Sequence, residues 1–508
     1  MEKNMKRIIA IVLVVVIASG IGIGAFFFLL APEAGDYVWT AKDAPGAPAG
    51  ISADQIIKIG CAGDTGEIQG DANYEGAWFA AKTINEAGGV EVGNTTYYFG
   101  VTKEDTDESN PNLVTSRGIA AAERLVYNKK VDFGIGGFRS EALLAYQEVF
   151  MDNKIIFIDT GAATDIFTHN VKNFYDRYKY FFRFMPINST SLGGEILTTL
   201  AGYIMLLNAT YPNKEVRQIG ILAEDLTWTA SVIAAVQHYM PLFTSTPDYL
   251  FNLVSWTGGW AQVLTPILYD ITLSATDMNT HLQTLASQGC DFLVPVISAQ
   301  GGVLMMQQYD LYEYPFQIFG IDVQAQLDTY WASSGNAAAY ETIMQTLHRT
   351  NKTTLSIAFW DAFRLEFGHD PLYIACGAYD AVIGLKNAIN RTQSFDELDL
   401  IAEMETWTKA NPQEGVAGNA AWWPGTHDLV EGYHPTNGGG FTLWCQWRND
   451  GTKVVVPAPR SAYVAGSSPI DGSGNTYALP NSVIGPLYPN WMSTGAYEVA
   501  PWVHTAWS

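Results

Sequence analysis

The residues of this chain that could do chemistry stand at the ends of short apolar runs. They are chiefly hydroxyls, glycines and single acids. Asp64-Thr65-Gly66 follows one run, Gly136-Gly137-Phe138-Arg139-Ser140 closes another, and Thr160-Gly161-Ala162-Ala163-Thr164 a third. Further on, Glu224-Asp225-Leu226-Thr227-Trp228, Ser298-Ala299-Gln300 and Asp322 hold the corresponding places. Backbone amides that open a helix, with the Ser140 and Thr164 hydroxyls, suit a carboxylate or another polar acceptor. Asp322 suits an ammonium through a charge-assisted hydrogen bond, and Trp228 suits an apolar wall. Together they describe a clamp for a zwitterion. Each also has a plainer reading: Ser140, Thr164 and Asp322 as helix caps, Trp228 as core, Arg139 as a surface ion pair. The coincidence of the loops carries the binding reading, not any one residue.

Catalytic signatures are missing. There is no HExxH, no GxSxG and no P-loop, and Gly134-Ile135-Gly136-Gly137 does not complete a GxGxxG. The eight histidines are scattered, and none falls at the positions above; His427 and His434 flank a turn. Glu224-Asp225 could do acid–base work, but helix capping accounts for the pair more simply. Cys61, Cys290, Cys376 and Cys445 form no CxxC pair, so no metal ligation and no cofactor are expected. They are either buried thiols or one disulfide and two thiols. Fifty-one acidic against 28 basic residues give a formal charge of −23, which repels phosphate backbones and excludes nucleic acid as a partner.

Positioning such loops requires strands alternating with helices. β-rich runs at Ile56–Cys61, Tyr97–Thr102, Val131–Gly136, Lys154–Asp159 and Tyr180–Met185 alternate with helical patterns at 73–87, 112–127 and 141–151. A second series follows: helices at 192–207, 229–239, 278–287 and 302–311, and strands at Gln218–Ala223, Phe251–Trp256, Phe292–Ile297 and Gln317–Gly320. Alternation of this kind predicts mostly parallel sheets covered on both faces, and two series predict two α/β lobes. Amphipathic helices are expected near 337–348, 372–390 and 396–409. A hairpin of Gly440–Trp447 and Thr452–Val456 is expected to turn at Asn449-Asp450-Gly451.

At the N-terminus, Lys3, Lys6 and Arg7 precede an uncharged apolar run from Ile8 to Ala31, and Glu33 and Asp36 follow it. At ~1.5 Å per residue such a run spans a bilayer core, and the charge asymmetry puts the remainder outside the cell. It is longer than a signal peptide's apolar stretch, so an uncleaved single-pass anchor is favoured over a cleaved signal. Asn-x-Ser/Thr sequons at Asn94, Asn188, Asn208, Asn351 and Asn390 fit the outside assignment. Residues 32–54, rich in Pro, Gly and Ala, read as a stalk.

Ile57-Lys58-Ile59-Gly60, Tyr74-Glu75-Gly76-Ala77 and Ile84-Asn85-Glu86-Ala87-Gly88-Gly89-Val90 resemble the type I periplasmic binding proteins of branched-chain amino acid and amide ABC uptake systems. Glu104–Asp107, Val131–Ser140, Ile155–Thr168, Phe319-Gly320-Ile321-Asp322 and Phe441–Val456 continue the resemblance in order. It implies a binding domain over 55–456 of two Rossmann-like lobes with a ligand cleft between them, one lobe about 55–185 and 345–435 and the other about 186–344 and 436–456. A cytoplasmic stretch 1–7, an anchor or signal 8–31 and an extension 457–508 flank it. It further implies that the protein binds and does not catalyse, and that its partners are a small-molecule ligand and the permease subunits of a transporter. By position, Ser140 and the Gly161, Ala162, Ala163, Thr164 loop would hold a ligand carboxylate and Asp322 its amino group. Trp228 stands where the family usually has a tyrosine, and Ser298 where another aromatic is common. A sensory ectodomain or a sugar binder of the same fold are the alternative readings.

Overall fold

The computed structural model describes residues 37–243, 261–298, 301–430, 440–458 and 492–508. The apolar run 8–31, the expected strand Phe251–Trp256, Gln300, His434 and most of the extension lie outside these residues.

The first sheet contains β1 Ile56–Gly63, β2 Val90–Val92, β3 Thr95–Asp105, β4 Phe133–Gly136, β5 Phe157–Asp159 and β6 Phe181–Arg183, in the order β2-β3-β1-β4-β5-β6. Only the β2–β3 pair is antiparallel. Ile57, Ile59, Cys61 and Ala62 of β1 are all buried, as a central parallel strand covered on both faces must be. The helices Ile68–Glu86 and Tyr373–Thr392 lie on this sheet and touch at Gly76, where a Cβ would come 2.2 Å from the Ala375 carbonyl oxygen. Only glycine permits that approach.

The second sheet is built from β7 Gln218–Glu224, β8 Gln262–Val263, β9 Ile267–Tyr269, β10 Phe292–Ile297, β11 Gln317–Asp322 and β12 Thr342–Gln345. After a short ribbon of β13 Gln413–Glu414 and β14 Asn419–Ala420, it is completed by β15 Leu443–Trp447 and β16 Lys453–Val455. The order is β16-β15-β12-β11-β10-β7-β8, with β9 also on β7. The β15–β16 hairpin turns at Gly451 (φ +81°), as its Asn-Asp-Gly sequence requires.

Two expectations need correction, and two elements add to the sequence reading. The helix expected over 337–348 is instead β12, whose residues Thr342–Gln345 pair in parallel with β11 and antiparallel with β15 and are buried throughout. Three alanines and alternating apolar residues read as a helix face, but the sheet takes the segment, and Asn336 and Tyr340 turn the chain into it at φ +70°. A helix at Ser356–Phe367 was not anticipated. Residues 37–54 are not a free stalk: Trp39 is buried and donates through Nε1 to the Lys129 carbonyl at 2.7 Å. The extension is folded at its far end, where Pro501–Trp507 is a helix with Val503 and Trp507 in the second lobe's core.

The four cysteines are buried free thiols, and burial pushes Cys61 and Cys445 up to about 12. Asn188, one of the sequon asparagines, is buried and bonded to Ser191 and Asp428, so it is closed to modification. Among the described residues one helix, Ser189–Asn208, is long and apolar enough to cross a bilayer, but 82% of its most apolar stretch is buried in the fold. It is a core helix.

Three connections join the lobes: residues 184–188, 346–355 and a third described over 421–430 and 440–442. Lys352 ties two of them, donating from Nζ to the Thr346 carbonyl at 2.6 Å and to the Phe441 carbonyl. Burial pushes its ammonium down to about 7, with Glu195 opposing most strongly. Asn188 donates to Asp428 at 2.8 Å and so ties the first connection to the third.

Candidate ligand-binding cleft

The cleft is assembled from loops that the protein holds through its own carboxylates. In the first lobe, Asp159 ends β5 and accepts from the Gly161 and Ala162 amides at 3.0 and 2.8 Å. Arg183, on neighbouring β6 and fully buried, donates to the Ala163 and Thr164 carbonyls at 3.0 and 2.8 Å. Its Nε lies 3.4 Å from Asp159 and 3.6 Å from Asp428. Burial raises the Asp159 carboxyl to about 7 although Arg183 lowers it. The loop after β4 is held likewise. Glu108, fully buried, accepts from the Phe138 and Arg139 amides at 3.3 and 3.0 Å, and burial raises its carboxyl to about 8. Ser140 Oγ accepts from the Thr164 amide at 3.3 Å, which links the two loops.

The second lobe repeats the device. Glu224, at the end of β7, accepts from the Ser298 amide at 2.8 Å and the Ser298 hydroxyl at 2.6 Å. Asp322, at the end of β11, accepts from the Gln324 amide and the Tyr330 hydroxyl, both at 2.9 Å. Glu341 is buried beside it, and burial raises both carboxyls. Trp228 leads into the helix Thr229–Phe243.

Between these loops lies a cleft with about 530 Å³ of empty space, its mouth included. Phe138, Gly161, Ala163 and Tyr373 line it from the first lobe. Leu192, Trp228, Ser298, Ile321, Gln326 and Met344 are among those lining it from the second. Each connection adds one residue: Ile187, Thr346 and Thr442. Among the described residues, hydrogen bonds join the lobes across the gap. Glu141, in the first turn of the helix Ser140–Asp152, accepts from the Thr227 amide at 2.7 Å, and Gln69 donates to the Ser298 carbonyl at 3.3 Å. The lobes are therefore closed on one another over a mainly apolar interior, the geometry in which a small molecule is enclosed.

Residues 57–242 match the family described as periplasmic binding protein. They belong to it. The type I fold of that family extends over both lobes, as solved structures show. A leucine-binding protein from Thermotoga maritima superposes with a TM-score of 0.57 at 16% identity, over 78% of this chain and 97% of the other. A branched-chain amino acid transporter substrate-binding protein from Streptococcus pneumoniae, in complex with isoleucine, gives 0.59 at 16% identity over 78% and 97%. A solute-binding protein of an ABC transporter from Rhodopseudomonas palustris, in complex with 3,4-dihydroxybenzoic acid, gives 0.57 at 18% identity over 77% and 93%. No curated protein sequence matches the chain.

Against this periplasmic-binding-protein frame the residues singled out in the sequence divide. Gly161, Ala163, Trp228 and Ser298 come together on the cleft wall. Ser140, Ala162 and Thr164 lie just behind it, buried, and Asp322 is buried in the second lobe with both oxygens engaged internally. Sequence reasoning missed the acids and the base that shape the wall: Glu108, Asp159, Arg183 and Glu141. Glu108 follows the acidic run 104–107 directly, but nothing local says that it reaches across to the loop after β4. Tyr373, which donates to the Gly161 carbonyl at 3.1 Å, and Gln326 were missed as well.

Proposed function

We propose that this protein is the extracytoplasmic solute-binding component of an ABC uptake system, tethered by the apolar segment 8–31 and delivering its ligand to permease subunits. The observation that carries the reading is the cleft itself. It is an apolar chamber at the junction of two lobes, lined by both lobes and by all three connections, and latched by Glu141–Thr227 and Gln69–Ser298. Nothing in it requires chemistry on the ligand. The fold relatives that bind isoleucine and 3,4-dihydroxybenzoic acid support a small organic ligand. Leu192, Ile321 and Met344 suit a branched aliphatic group, which keeps a branched-chain amino acid or a related amide as the candidate class.

The test is the cargo. Purified protein is denatured, and the small molecules it releases are identified by mass spectrometry; one species in near-stoichiometric amount is expected. That species should raise the melting temperature of the emptied protein in proportion to the logarithm of its concentration. Release of nothing, with no thermal shift from a broad solute library, would sink the proposal.

A further inference from the structure

We propose that the first lobe is held against the lipid surface, on the side where residues 37–46 are fastened to it, and that the second lobe is the one left to move. The inference rests on the tethered reading given above and adds an orientation to it. It begins where the chain enters the fold. The apolar run ends at Ala31, and only Pro32-Glu33-Ala34-Gly35-Asp36 separate it from Tyr37. Fully extended, the steps from Ala31 to Tyr37 reach at most about 22 Å. A protein of this size is roughly 50–60 Å across, so the leash is shorter than the body it holds.

The fastening is made of bonds to one lobe. The Tyr37 amide donates to the Asn128 carbonyl at 3.2 Å, and the Trp39 indole donates to the Lys129 carbonyl at 2.7 Å. β2 pairs with β3 only as far as Tyr97. Further along that edge the Asp43 carbonyl accepts from the Val101 amide at 2.8 Å and covers the strand. Asn85, near the end of the helix Ile68–Glu86, donates to the Pro45 carbonyl at 2.8 Å. The Asp43 carboxylate closes the turn, accepting from the Tyr37 hydroxyl at 2.5 Å and the Thr40 amide at 2.8 Å. Asn128, Lys129, Val101 and Asn85 all belong to the first lobe. Peeling the segment away would expose the buried Trp39 and reopen the edge of β3. The leash therefore cannot lengthen itself cheaply.

The side so presented combines aromatic rings with lysines, the mixture that suits a membrane–water boundary. Val38 and Tyr127, beside the fastening, are 73% and 52% exposed. Lys129 Nζ stands 5.2 Å from the centre of the Tyr37 ring and donates to the Lys103 carbonyl at 2.7 Å. Lys103 Nζ in turn stands 4.8 Å from the centre of the Tyr74 ring. With Trp78 and Phe367, these two residues line an open groove of about 570 Å³ of empty space, its mouth included, which Asp71 and Glu75 complete. The protein's net charge of −23 opposes approach to an anionic surface. It is the short leash, and not electrostatic attraction, that holds this side down.

The test places a fluorophore on the full chain in phosphatidylcholine vesicles whose two leaflets carry a headgroup-linked quencher. The four native cysteines are buried, so Tyr127→Cys and Leu311→Cys can be labelled separately. Leu311 is 67% exposed, on the second-lobe helix Gly302–Tyr312. Quenching at position 127 is expected to exceed that at position 311 at least threefold. Equal quenching, or more at 311, overturns the inference. A Gly-Ser insertion of about twelve residues between Ala34 and Gly35 adds about 20 Å of root-mean-square reach. It should abolish the difference, and a difference that survives it overturns the role given to the leash. A chain that does not float with the vesicles overturns the inference together with the tether. The cargo measurement then decides the solute-binding reading separately.

Discussion

Arg183 shows how much of the cleft is settled by a single side chain that never lines it. It is fully buried, it holds two carbonyls of the loop bearing Gly161 and Ala163, and it faces two buried carboxylates. Removing one member of such a cluster leaves the others buried without compensation. Arg183→Met is expected to destabilise the protein by about 3–5 kcal/mol in urea unfolding. A loss below about 1 kcal/mol would show that the cluster does not hold the loop. The site residues that could be read from sequence were those whose chemistry is local: a glycine turn, a hydroxyl, an aromatic after a strand. Glu108 and Arg183 act on residues about 20–30 positions away, through a sheet order that no local pattern encodes. Asp322 is the reverse case. Its place at a strand end was legible, but the direction of its carboxylate depends on Tyr330, which the following short helix supplies.

At the scale of elements, the helix Ser140–Asp152 meets the loop before Thr229–Phe243 across the gap, and Glu141 makes that contact. Burial would raise the Glu141 carboxyl, but its bonds to Thr227 and the nearby Arg139 lower it overall. The sign follows. A carboxyl held below its ordinary value in the closed form favours closure fully above that value, and the benefit is lost as pH falls through the lower closed-form value. Glu141→Ala at neutral pH should therefore mimic acid. A hydrogen bond to a charged group contributes about 1.5–3 kcal/mol, so the lobes should part and the radius of gyration from small-angle scattering should rise. An unchanged scattering profile for the variant would remove the latch from the account. The strands and helices themselves were largely readable, because β1, β7, β10 and β11 are continuous apolar runs and the helices between them keep one face apolar. β12 was not, since its pattern fits either element and only its two neighbours in the sheet decide.

On the scale of the whole molecule, neither lobe is made from one stretch of chain. The first sheet's helix cover includes Tyr373–Thr392, and the second lobe's core takes in β15, β16 and the helix Pro501–Trp507. Trp507 is 4% exposed and packs edge-on against Phe292 of β10 and Tyr211. Truncating a buried tryptophan typically costs about 3–5 kcal/mol, so Trp507→Ala should lower the denaturation midpoint markedly even though it lies far along the chain from the cleft. An unaltered midpoint would mean that the terminal helix is decoration.

The interleaving of the lobes also bears on how the protein is made. β7 begins at Gln218, yet the core it helps to enclose is closed by Val503 and Trp507, almost three hundred residues later. A growing polypeptide must therefore leave the second lobe open while all of that sequence is being added, and contacts so distant form slowly.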